Sequence, residues 1–186
     1  SNITMNNTRL SGAITGAAGF KITKDCSCDL QLTGNNSGFD GGFNVGGPAG
    51  FGTISIGDTN AFGSALATLT VTNAGRIDVD AGSTNATLAN QFAIGATTSF
   101  TMAAGKSITA TGNIVGTGAI NLGRVGGSPV GTLNLSGANG GYTGTITFVQ
   151  NATLGVGSNT ALGTKAVRMQ ESGTLAATTG GLTIAN

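Results

Sequence analysis

The sequence predicts an all-β parallel β-helix, a β-solenoid of roughly seven to nine coils at ~4.8 Å per coil, and three observations predict it. Apolar residues recur at alternate positions in short runs, with no helical spacing. Gly- and Asn-rich turns separate those runs at a pitch of roughly ten residues. A unit of about 100 residues is repeated, and since a solenoid turn takes about 20 to 45 residues, that unit must hold several turns.

The alternating pairs are, in chain order, Leu30 with Leu32, Ile54 with Ile56, Leu69 with Val71, Ile77 with Val79, Ile120 with Leu122, Leu133 with Leu135, Ile146 with Phe148, Leu154 with Val156 and Leu182 with Ile184. Period-two spacing points each pair to one face of a strand, while the Thr, Ser, Asn, Asp or Gln between them faces out. Gly interrupts every candidate helix, so almost no helix is expected. Turns are expected at Gly34-Asn35-Asn36-Ser37-Gly38, Gly57-Asp58-Thr59-Asn60 and Gly137-Ala138-Asn139-Gly140-Gly141, because Gly and Asn reach positive φ at low cost.

The repeat is explicit. Ile14, Gly16, Phe20 and Ile22 reappear 100 positions later as Ile114, Gly116, Ile120 and Leu122. Leu30, Leu32, Gly34, Asn36, Phe39, Gly41, Phe43 and Val45 reappear 103 positions on as Leu133, Leu135, Gly137, Asn139, Tyr142, Gly144, Ile146 and Phe148. Ile54, Ile56, Gly57, Ala61, Phe62 and Gly63 then match Leu154, Val156, Gly157, Ala161, Leu162 and Gly163 at 100 again. Residues 1–186 thus read as one domain, a little under two copies of the unit, cut from a longer β-helix. Two copies of a sandwich would need two closed cores and a linker, which the sequence does not show. In a solenoid the second copy continues the stack. Phe20, Phe39, Phe43, Phe51, Phe62, Phe92, Phe100 and Phe148 are expected as the largest core residues, each stabilising by about 1.5 to 3 kcal/mol when buried.

Composition narrows the function. Charged residues make up 8%, and 8 Lys+Arg nearly cancel 7 Asp+Glu, so no basic surface exists to neutralise a phosphate backbone and nucleic acid is not expected as a partner. Leu, Ile, Val and Phe supply 42 of the 186 residues, above the level of about 20% below which chains stay disordered. No apolar run reaches the roughly 18 to 20 residues of a membrane span. Ser1 to Leu10 lacks the charged start and apolar core of a signal peptide. Without His the chain has neither the usual base of a Ser or Cys triad nor the commonest zinc ligand. No catalytic, cofactor-binding or metal-binding residue is assigned, no cofactor is expected, and the protein is not expected to be an enzyme.

Four features still carry possible chemistry. Asp78 and Asp80 lie two apart on a strand and share a face, fit for acid–base work or a cation, or else for a solvated face compensated by Arg76. Gly116-Thr117-Gly118 has the look of a phosphate loop, but no Lys-Ser or Lys-Thr and no helix follows, which favours turn glycines. Cys26 and Cys28 are a possible local disulfide, although bridging positions two apart needs a contracted backbone and closes too small a loop to add much stability. Outward Thr and Asn form either hydrogen-bonded ladders or ordinary solvated surface.

One stretch carries a recognisable motif. It reads Leu133-Asn134-Leu135-Ser136-Gly137-Ala138-Asn139, then Tyr142-Thr143-Gly144, then Thr153-Leu154-Gly155-Val156-Gly157, then Ala161-Leu162-Gly163, with a first copy at Leu30 to Gly63. This resembles the autotransporter-associated β-strand repeat of type V secreted bacterial passenger domains. The first copy departs from the pattern with Phe39-Asp40-Gly41 at the aromatic turn, Phe62 for Leu, and Gly47-Pro48-Ala49-Gly50 inserted before the strand. The resemblance implies a single-stranded right-handed parallel β-helix exported to the cell surface through its own C-terminal β-barrel translocator, which is not in this chain. It implies a scaffold for surface display, adhesion or self-association and for vectorial folding during secretion, with a host surface receptor or a second copy as partner. The alternatives are the stalk of a secreted toxin or effector passenger and a carbohydrate-active β-helix enzyme.

Overall fold

A computed structural model of the chain describes residues 7–46, 52–80, 82–123 and 131–184. Phe51 and the Gly47-Pro48-Ala49-Gly50 insertion lie outside the described residues. The first strands are β1 (Thr8–Leu10), β2 (Lys21–Lys24), β3 (Asp29–Leu32), β4 (Gly42–Val45), β5 (Gly52–Ile56), β6 (Thr68–Val71), β7 (Gly75–Val79), β8 (Ala86–Leu88) and β9 (Gln91–Ile94). They continue as β10 (Thr98–Met102), β11 (Ser107–Ala110), β12 (Ile114–Gly116), β13 (Ile120–Leu122), β14 (Thr132–Leu135), β15 (Ile146–Phe148), β16 (Thr153–Val156), β17 (Val167–Met169) and β18 (Thr174–Ala177). Among the described residues there is no helix.

All pairings between these strands are parallel, in three sheets that wrap one core as a β-solenoid of about seven turns. A long sheet runs the length of the stack in the order β1-β3-β5-β7-β10-β13-β15-β17. An N-terminal sheet (β2-β4-β6-β9-β12) and a C-terminal sheet (β8-β11-β14-β16-β18) form the other two sides. Middle coils such as β7-β8-β9 and β10-β11-β12 place one strand in each sheet, so the cross-section is three-sided. Two isolated parallel bridges extend the stacking beyond the named strands, Gly16 to Phe39 early and Gly116 to Tyr142 late.

The alternating pattern becomes interior columns. On the long sheet Leu30, Ile54, Ile77, Phe100, Leu122 and Phe148 stand in register, one per coil, each buried. On the C-terminal sheet Ile108, Leu133 and Leu154 do the same. Phe39, Phe43, Phe62 and Phe92 meet edge to face across the corners, with ring centroids 5.4 to 6.4 Å apart, the geometry that a ring quadrupole favours.

Phe20 corrects the expected core: it is 68% exposed. Gly19 before it takes φ 97°, and this left-handed turn leaves Phe20 just outside β2, which begins at Lys21.

The repeat has a geometry that the sequence does not announce. Climbing the long sheet from Leu30 through Ile54, Ile77 and Phe100 reaches Leu122 four coils later. Leu133, the counterpart of Leu30, then lies one side further round, in the C-terminal sheet. Likewise β4 of the N-terminal sheet is replaced in the second copy by β15 of the long sheet. The unit is therefore four turns and one side long, and its second copy is rotated by about a third of a turn.

The corners are nevertheless rebuilt bond for bond. Asn36 Oδ1 accepts the Ile14 N–H (2.8 Å) and its Nδ2 donates to the Ala61 carbonyl (2.7 Å). Asn139 Oδ1 accepts the Ile114 N–H (2.7 Å) and its Nδ2 donates to the Ala161 carbonyl (2.8 Å). Each Asn is fully buried and satisfies two main-chain groups, one in the coil before and one in the coil after.

One segment of the expected alignment shifts. Ile22 stacks on Phe43 and Lys24 on Val45, whereas Ile120 stacks on Ile146 and Leu122 on Phe148. The spatial counterpart of Ile22 is thus Ile120, and that of Lys24 is Leu122. Two extra residues between Gly16 and β2 account for the offset, since the Phe20 carbonyl lies against Gly41 where the Gly118 carbonyl lies against Gly144.

Candidate functional site

The corner between β2 and β3 concentrates the unusual chemistry. Asp25 to Cys28 make the whole connection from the N-terminal sheet back to the long sheet. Cys26 and Cys28 are half-buried, with Asp25, Ser27 and Asp29 exposed around them. Their Cα atoms are 5.2 Å apart and the two sulfurs are paired, within the span that a disulfide requires. Both cysteine carbonyls are also engaged: Lys24 Nζ donates to Cys26 O at 2.9 Å, and the Thr53 N–H donates to Cys28 O at 3.5 Å.

Lys24 was not singled out from the sequence, yet it is 5% exposed and occupies a core column position below Val45 and Val71. Burial lowers the pKa of its ammonium, and the charge of Asp29 partly restores it. The signal was present: in Lys21-Ile22-Thr23-Lys24 the period-two rule puts Lys24 on the same face as Ile22.

The carboxylate pair separates into two local roles. Asp78 accepts a hydrogen bond from the Thr101 hydroxyl of the next coil. Asp80 lies past the strand end, where its Oδ1 accepts the Gly82 N–H and the Ser83 hydroxyl, both at 2.9 Å, closing an Asx-type turn. Beside them, the Arg76 Nε is buried and finds no hydrogen-bond acceptor among the described residues. Among the described residues no group of three or more His, Cys, Asp or Glu is placed to hold a metal ion.

The glycines at Gly116-Thr117-Gly118 are packing residues. A Cβ on Gly116 would sit 2.2 Å from the Ile94 carbonyl oxygen, and one on Gly118 would sit 2.4 Å from that of Ala96. The Gly118 N–H already donates to Ile94 O at 2.9 Å, so the loop offers no row of free amides to an anion.

Comparison with protein families, curated proteins and solved structures finds no match to this chain. What the molecule offers is therefore read from its own surfaces.

Outward hydroxyls form ladders. Ser107, Thr132, Thr153 and Thr174 stand in one column on the C-terminal sheet. At the corners, Thr111, Thr164 and Thr178 donate their hydroxyls to carbonyls of the preceding coil at 3.0 to 3.4 Å. Tyr142 uses its hydroxyl inside, donating to Gly118 O (2.8 Å) and placed 3.1 Å from Thr145 O; burial pushes its phenol well above the ordinary range. Among the described residues no helix is long and apolar enough to cross a membrane.

Proposed function

We propose that this chain is a structural and adhesive passenger segment of an exported bacterial autotransporter, a scaffold for surface display. One observation carries the reading. The motif that bears the resemblance does the same corner-building work in both copies, with Asn36 and Asn139 bonding the coil before and the coil after. A motif whose Asn, aromatic and Gly residues each serve a coil corner is a unit for extending a solenoid. Parallel coils also favour vectorial folding, because each completed coil presents a strand edge to which the next can pair. The flat polar faces and hydroxyl ladders suit adhesion to a host surface receptor or to a second copy. The partner in export is the protein's own β-barrel translocator.

The test is surface display of the full-length gene product. Expected results are protease access to this segment on intact cells, loss of that access when a downstream barrel is deleted, and weakened adhesion or autoaggregation when residues 7–184 are excised in frame. A segment that stays protected inside intact cells overturns the reading.

A further inference from the structure

The Cys26–Ser27–Cys28 corner is better built for electron exchange than for holding the fold together. Its ring spans a single intervening residue, and a loop so small constrains the unfolded chain little, so opening the bond costs the fold little stability. The corner is also fixed without the sulfur bond, since Cys26 O is held by Lys24 Nζ and Cys28 O by the Thr53 N–H. Both sulfurs belong to half-exposed residues at the surface, where an attacking thiolate has access, and accessible disulfides are the labile ones. Asp25 and Asp29 flank them as two exposed carboxylates, against the one buried ammonium of Lys24 on the Cys26 carbonyl, which leaves the corner a net negative charge. An approaching thiol therefore meets negative potential.

We propose that Cys26 and Cys28 form a thiol–disulfide exchange site that accepts two electrons from small neutral or cationic thiols. An external thiolate attacks one sulfur, the S–S bond breaks, and the electron pair leaves on the other cysteine, which takes a proton from water. A second thiolate then attacks the mixed disulfide, frees the remaining cysteine thiolate and departs as the oxidised thiol dimer. Two thiols are oxidised, the protein disulfide is reduced, and the solenoid stays folded.

The experiment uses the whole native chain, equilibrated in cysteamine–cystamine mixtures, quenched in acid, alkylated with iodoacetamide and weighed intact, with far-ultraviolet circular dichroism recorded on the same samples. Expected is a reversible two-electron transition in millimolar thiol with the β signal unchanged. Rates with cationic cysteamine and anionic mercaptoacetate, each normalised to that thiol's rate with an uncharged small disulfide, should favour cysteamine several-fold at low salt. That ratio should shrink as salt screens the carboxylates and in the Asp25→Asn, Asp29→Asn double variant. Two free thiols in the untreated protein, a pair that opens only in denaturant, or a thiol preference that ignores both salt and the double variant would each overturn the proposal.

Discussion

The corner around Asn36 and the corner around Asn139 make the same hydrogen bonds to equivalent partners, yet they sit on different sides of the solenoid. The strand before the first lies in the long sheet, and the strand before the second lies in the C-terminal sheet. The motif therefore encodes a coil corner and is indifferent to which side of the triangle it occupies. The difference between the copies is sharpest at Lys24, a buried cation standing where the second copy has the core residue Leu122. The first copy tolerates it where the Cys26 carbonyl accepts a hydrogen bond from its ammonium.

The most severe way to break this comparison is to give the second copy the first copy's cation. Leu122→Lys buries a charge between Phe100 and Phe148 without that carbonyl, and should cost about 3 to 5 kcal/mol in chemical denaturation. The reverse change, Lys24→Leu, should hold or raise stability.

Next in size are Asn36→Ala and Asn139→Ala. Each strands a buried N–H and a buried carbonyl, at a cost of about 2 to 4 kcal/mol. Near-equal losses would establish the equivalence of the two corners by urea titration, while a difference approaching the full effect would break it.

Gly63→Ala and Gly163→Ala come third. Their φ angles are 93° and 72°, and a Cβ would lie 2.2 Å from Phe39 O in one copy and 2.4 Å from Tyr142 O in the other. Each should lower the thermal midpoint, at about 1 to 3 kcal/mol, the first copy slightly more.

The smallest effect restores the first copy's aromatic to the second. Tyr142→Phe, copying Phe39, removes the bond to Gly118 O and should cost about 1 kcal/mol at neutral pH. The raised phenol pKa adds a sign that can be checked. Stability from the neutral phenol is complete below the unfolded value of about 10 and falls as pH rises beyond it. Denaturation midpoints of the parent should therefore drop faster than those of the variant across that alkaline range.

Much of the fold was legible in the chain because burial on a strand has period two, and pairs such as Leu133 with Leu135 mark their inner face directly. Parallel stacking followed from the long repeat. The rotation between copies was not legible, since it depends on the running length of several coils, which varies from 22 positions between Phe100 and Leu122 to 26 between Leu122 and Phe148. Phe20 was misread because it lies between the left-handed turn at Gly19 and the start of β2 at Lys21, outside any strand, and composition does not report such an angle. At the functional corner the cysteines announced themselves. Lys24 did not, because a lysine is read as solvent-facing even where its spacing from Ile22 says otherwise.

The offset between the copies bears on how a longer array would present itself. If further units followed the same rule, each would appear about 120° around the axis from its predecessor, and the fourth would return to the bearing of the first. An antibody reading one such unit would find its binding site displayed in three directions along the array, accessible whichever flank was covered.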